Sequence, residues 1–166
     1  VLEDNRLNST ALLAIYKAQN RVGSGLRKKM DREVNALCGR KGSPHTVCRW
    51  KEVNYLDTDK NAFLLALKTG PASPERIEPQ AQQLVSLIGM YDKLDGSGDP
   101  HLDIILALRH YQLYQAFGEF LIRVGNAVPA AKEILKQKAA ESVKSAGQYL
   151  AKCKVIIQST AVITPA

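Results

Sequence analysis

Six side chains in this sequence are of the types that most often ligate metals or attack carbonyl carbon: His45, His101 and His110, with Cys38, Cys48 and Cys153. Their spacing decides what they could do. There is no Glu-x-x-His pair of the kind that builds di-iron bundles and no His-Glu-x-x-His zinc signature. His101 and Asp103 stand two residues apart and would not share a helix face. His45 lies near both Cys38 and Cys48, but a Cys–His dyad needs a third group to orient the imidazole, and the sequence offers none. No metal, no cofactor and no catalytic residue is therefore expected, and the chain is read as a non-enzyme.

Two acidic loops invite a test for calcium. Asp57, Asp59 and Asn61 match the first ligand positions of an EF-hand loop, yet Ala62 stands where the sharp turn needs Gly and Lys68 where the bidentate Glu belongs. Asp95, Ser97 and Asp99 fail at the same two places, with Pro100 and Leu106. Both clusters read better as helix caps and turns. Gly23, Ser24 and Gly25 before Arg27, Lys28 and Lys29 lack the phosphate-loop spacing and follow no strand, so they read as a basic helix face.

The thiols suggest a different use. Nine residues separate Cys38 from Cys48, and their Gly, Ser and Pro content argues against regular structure. A bond between the two would close a basic loop and stabilise by about 3 kcal/mol on the chain-entropy model. Such a bond fits an oxidising, extracytoplasmic compartment, periplasmic or secreted, and leaves Cys153 as an odd thiol. The first residue is Val1, which suits either a mature product or a trimmed chain. The sequon at Asn8, Ser9 and Thr10 matters only in a glycosylating secretory system.

Charge points to recognition. Of the net charge of +7, residues 21–52 carry most, with nine basic side chains against three acidic ones, whereas residues 53–131 hold six basic and nine acidic. Arg21, Lys28 and Arg32 fall near one helix face, and Arg40, Lys41 and Arg49 follow, with Trp50 beside them. These seven residues form the expected contact surface. An acidic protein partner would be steered to it. Nucleic acid or another polyanion is the alternative, with Trp50 stacking on a base.

The elements that must carry these residues are helical. At 166 residues, 45% hydrophobic and only 6% aromatic, the chain suits one domain with a core of Leu, Ile, Val and Ala. Leu12, Ile15, Tyr16, Gln19, Val22, Leu26, Met30, Val34 and Leu37 recur at helical spacing, with Gly39 placed to end that helix. Val47–Leu56 is ambiguous between turn, strand and helix start. A short helix is expected over Lys60–Lys68, capped by Asp57 or Asp59, then a proline-bearing loop over residues 70–79.

Leu84, Leu87, Ile88 and Tyr91 predict a further helix, broken at Asp95–Gly98. Asp99, Pro100 and Asp103 then mark a clear helix start. A last helix of about 30 residues is expected to bury Ile134, Leu135, Ala139, Val143, Ala146, Leu150, Cys153 and Ile157. Residues 1–8 and the tail from Ser159 lack the pattern and are expected to be loosely ordered. The fold predicted is an all-α antiparallel bundle of four to five helices, a single helical domain over residues 1–166, with a Cys-flanked loop between the first and second helices. No apolar run reaches the length of a membrane span. Tyr111, Tyr114 and Phe117 are the residues that would line a small-ligand pocket between helices, if one exists.

Overall fold

The computed structural model describes residues 28, 32, 34–36, 38, 39, 46–96 and 98–161. Every long element among them is a helix: α1 (Thr46–Thr69), α2 (Ile77–Asp92), α3 (Pro100–Ala127) and α4 (Lys132–Ala161), with single 3-10 turns at Pro74–Arg76 and Pro129–Ala131. Lys28, Arg32, Val34–Ala36 and Cys38 are also helical. Gly39 closes that stretch, its N–H donating to the Asn35 carbonyl at 3.0 Å. The expected all-α bundle is what forms.

Contacts divide the chain into two compact units, Val1–Tyr55 and Leu56–Ala166. In the first, Cys38 and Cys48 are bonded, with Cα atoms 5.5 Å apart, so the end of one helix is tied to the first turn of α1. Val34, Val47, Trp50 and Val53 are buried.

The second unit is a four-helix arrangement whose directions can be read from its pairings. Asp57 meets Arg109 and the Leu67 carbonyl meets Arg123, so α1 and α3 run the same way. Tyr91 meets Asp57 while Arg76 reaches back to the Ala66 carbonyl, so α2 runs against α1. Gly125 lies against Lys132 and Leu135, Gly118 against Ala139 and Ser142, and His110 against Tyr149, so α4 runs against α3. The result alternates up, down, up, down, as short connections require.

The seam between α3 and α4 is close because its residues are small. A Cβ on Gly118 would sit 3.1 Å from Val143 Cγ2 and 3.2 Å from the Ala139 carbonyl oxygen. Ser142, buried on the facing helix, donates its hydroxyl to the Tyr114 carbonyl at 2.7 Å, so the polar atom does not lie orphaned in the core. The buried stripe of α4 is Leu135, Ala139, Ser142 and Ala146, three or four apart, and Cys153 two turns further on. Ile134, Val143 and Ile157, expected inside, are exposed, because this small-residue stripe takes the seam instead.

Helix boundaries differ from expectation at three places. The ambiguous Val47–Leu56 and the expected short helix are one helix, since Val47, Trp50, Val53, Lys60, Phe63 and Leu67 share a buried face. Neither Asp57 nor Asp59 caps it. Pro79 falls in the first turn of α2, where its missing N–H has no intrahelical partner to lose. Ser159–Ala161 extend α4, and the residues beyond, like residues 1–8, lie outside the described part. The start of α3 is as expected: the Asp99 side chain accepts from the His101 N–H at 3.0 Å, Pro100 opens the helix and Asp103 sits in its first turn.

Candidate functional site

The predicted contact surface belongs to the first unit. Lys28 and Arg32 are helical and exposed. Arg49 follows the disulfide in α1 and is half-buried, and its Nη1 is buried with no hydrogen-bond partner among the described residues. Trp50 is 6% exposed, so its indole packs in the protein and presents no face for a base to stack on. Arg21, Arg40 and Lys41 lie outside the described residues. What the structure brings together is Cys38 and Cys48, Cα atoms 5.5 Å apart, one on each of the two stretches of basic sequence.

The second unit holds a polar cluster that the sequence reading did not find. The Asp57 carboxylate on α1 accepts two hydrogen bonds from Arg109 on α3, Nε at 2.8 Å and Nη2 at 2.6 Å. It also accepts the Tyr91 hydroxyl of α2 at 2.7 Å and faces Lys60 Nζ at 3.5 Å. The Gln112 side-chain oxygen takes a weaker bond from Lys60 at 3.4 Å. One carboxylate thus serves two cations and a phenol. Burial, with Arg109 beside it, holds the Lys60 ammonium below the ordinary lysine range despite the Asp57 charge. Burial first, then the bond to Asp57, pushes the Tyr91 phenol well above the ordinary tyrosine range.

A second cluster sits nearby on α2, α3 and α4. His110 is 2% exposed, with Nδ1 at 2.7 Å from the Leu106 carbonyl and Nε2 at 2.9 Å from Asp92 Oδ1. Its ring stacks on Tyr149 at 4.3 Å and 13°, and Tyr149 in turn stacks with Tyr114 at 5.9 Å. Burial and the Asp92 charge raise both of these phenols above the usual range. Both imidazole nitrogens are engaged by oxygen, so neither is directed at an open site where it could accept a substrate proton.

Chemically, these arrangements hold helices together. Asp57–Arg109, Tyr91–Asp57, Lys60–Gln112 and His110–Asp92 each join two helices, while Lys60–Asp57 and His110–Leu106 lie within one. Among the described residues no three His, Cys, Asp or Glu side chains gather closely enough to hold a metal ion. Cys153 is a buried free thiol. Of Tyr111, Tyr114 and Phe117, Tyr111 lines a groove between α1 and α3, Tyr114 packs towards Tyr149, and Phe117 is buried beside Phe120. Tyr114 and Phe117 are not in the lining of that groove. No helix among the described residues is long and apolar enough to cross a membrane.

The polar clusters were hard to find from sequence because Asp57 and Arg109 are 52 residues apart and each reads as a surface charge. The usable signal was Lys60, spaced seven residues from both Val53 and Leu67 on an apolar face. No protein-family model, no curated protein and no solved structure matches this chain.

Proposed function

We propose that this chain is a non-enzymatic, extracytoplasmic binding protein that recognises another protein, one of acidic character, through the basic residues of its disulfide-tied segment. The observation that carries the reading is the Cys38–Cys48 bond, which fixes the basic helix bearing Lys28 and Arg32 to the start of α1, where Arg49 and Lys51 lie. Holding charges in one geometry before a partner arrives lowers the ordering cost of binding. The bond also suits an oxidising compartment.

Two further features support the reading. Arg109 and His110 are each paired with a carboxylate on another helix, Asp57 and Asp92. Burial of Trp50 removes the aromatic that a nucleic-acid surface would use here, which favours a protein over a polyanion.

The test is a titration of the full chain against fluorescein-labelled poly-glutamate, heparin and mixed-sequence DNA. The expected result is binding of the acidic polypeptide that weakens about tenfold in the Lys28→Glu, Arg32→Glu double variant. DNA should bind no tighter than heparin. DNA bound more tightly than heparin, with affinity falling steeply with salt, would move the assignment to nucleic acid.

A further inference from the structure

The His110 ring on α3 is buried, and both of its nitrogens face acceptors. Nδ1 lies 2.7 Å from the Leu106 carbonyl one turn back, and Nε2 lies 2.9 Å from Asp92 Oδ1 at the end of α2. A neutral imidazole has one N–H to donate and one lone pair with which to accept. The Leu106 carbonyl only accepts, so the Nδ1 proton is committed to it. The contact of Nε2 with a carboxylate then needs a second proton, since without one two lone pairs would meet at hydrogen-bond distance. Imidazole is the stronger base, and the Asp92 side chain is 53% exposed, so water can hydrate its charge; the second proton belongs on the ring.

Burial opposes a charge on the ring, and two neighbours offset that cost. The bond to Asp92 is charge-assisted, and the face of Tyr149 from α4 stacks on the imidazole at 4.3 Å and 13°, where a cation is attracted to the π-system. The remaining surroundings come from every element packed here. Tyr91 of α2 stands 6.0 Å away with its hydroxyl turned to Asp57. Asp95, in the loop before α3, is near enough to interact with the ring charge and is paired with Lys152 of α4. On α3 itself, Arg109 is turned to Asp57, and Tyr114 stacks with Tyr149. Burial keeps the Tyr114 and Tyr149 phenols in their neutral form. With the ring charged, Asp92 and Asp95 are thus balanced by His110 and Lys152. With the ring neutral, one negative charge is left unbalanced beside a buried lone pair.

We infer that His110, Asp92 and Tyr149 form a pH-operated latch, which binds the end of α2 and the second half of α4 to α3 while the ring is protonated and releases them when Nε2 loses its proton. The proton leaves to water along the exposed side of Asp92, and Nδ1 keeps its own on Leu106. The latch rests on residues 91–152 alone, so it stands or falls separately from the basic segment of the first unit.

The experiment is a titration of the full wild-type chain from about pH 5.5 to about pH 9, across the range in which imidazoles ordinarily change charge. Long-range proton–nitrogen NMR follows the His110 ring, assigned by the signal missing in His110→Gln. Amide hydrogen exchange, corrected for its intrinsic pH dependence, follows α4. Both ring nitrogens should carry protons at the acid end, and Nε2 should lose its proton as pH rises. Protection over residues 146–156 should fall about tenfold at the same midpoint, as loss of one charge-assisted hydrogen bond implies, while residues 133–141 change less than about twofold. In Asp92→Asn the amide can turn its NH2 to a neutral Nε2, so both ring forms fit and the response should shrink to less than about twofold.

A single protonated nitrogen at the acid end would overturn the latch, as would proton loss with no change in protection. Both protons retained to about pH 9 would leave a fixed ion pair and overturn the switching. An undiminished response in Asp92→Asn would assign the pH dependence to another group. The wild-type titration decides the matter by itself should that variant fail to fold.

Discussion

Arg109 grips Asp57 with two nitrogens at 2.6 and 2.8 Å, joining α1 to α3 across 52 residues of sequence. Lys60, three residues along α1, is a second cation on the same carboxylate and is 4% exposed. The cluster holds one more positive charge than it can neutralise. The excess charge is Lys60, since Arg109 already occupies both carboxylate oxygens.

This makes opposite predictions for two neighbouring residues. Asp57→Asn strands the buried Lys60 and the half-buried Arg109 and weakens the Tyr91 bond, and should destabilise by about 3 kcal/mol. Lys60→Met keeps the Asp57–Arg109 pair and removes the desolvated ammonium, and should be neutral or stabilising by about 1 kcal/mol. Urea denaturation of the three proteins measures both. In the wild type the folded Lys60 gives up its proton more readily than the unfolded one, so its penalty is present at neutral pH and eases as pH rises through its lowered folded value. That rise should be absent in Lys60→Met.

The two glycines of the α3–α4 pair divide in the same manner. Gly118 faces backbone and side chain of α4 within 3.2 Å, so Gly118→Leu must push the helices apart and should cost about 2–3 kcal/mol. Gly147 has nothing within 4 Å of its Cβ position and is exposed in mid-helix, so Gly147→Ala should raise stability by about 0.5–1 kcal/mol through helix propensity alone. Thermal melts report both shifts.

Lys152 of α4 pairs with Asp95 in the loop before α3. Partial burial pulls the Asp95 carboxyl upward, but the hydrogen bond and charge of Lys152 outweigh it and leave the group below its ordinary range. A carboxyl lowered on folding contributes stability above its unfolded value of about 3.9, lost as pH falls through the lower folded value. The urea midpoint of the wild type should therefore drop more steeply below pH 4 than that of Lys152→Gln. Equal slopes would show that the pair contributes nothing in solution.

Reduction of the Cys38–Cys48 bond reopens a loop of nine intervening residues and should cost about 3 kcal/mol if the chain-entropy account holds. Comparing oxidised protein with Cys38→Ser, Cys48→Ser in urea gives the figure. Cys153, buried on the α4 stripe, should remain unalkylated until the protein unfolds.

How far the sequence discloses this structure depends on which force sets each feature. Asp99, Pro100 and Asp103 act within one turn, and the start of α3 follows from them directly. The Cys pair is likewise local. The face of α4 is set by size, because α4 lies against Gly118 and buries Ser142 while leaving Val143 exposed; a reading by hydrophobicity places Ile134, Val143 and Ile157 inside. The buried face of α1 includes Asp57 and Lys60, whose partners lie on other helices, so its continuity through Val47–Leu56 is masked by charges that look solvated. Of the predicted contact residues, Trp50 could go either way on sequence, since an indole serves as well to anchor a core as to stack on a base, and here it is buried.

The most direct test of the account is crosslinking with mass spectrometry in the periplasmic or extracellular fraction of the source, comparing the wild-type chain with Lys28→Glu, Arg32→Glu. The account predicts one acidic protein joined through the basic segment of residues 21–52, and lost in the double variant while its circular dichroism is unchanged. The same protein crosslinked at equal yield to both forms, or crosslinks confined to Leu56–Ala161, would contradict it.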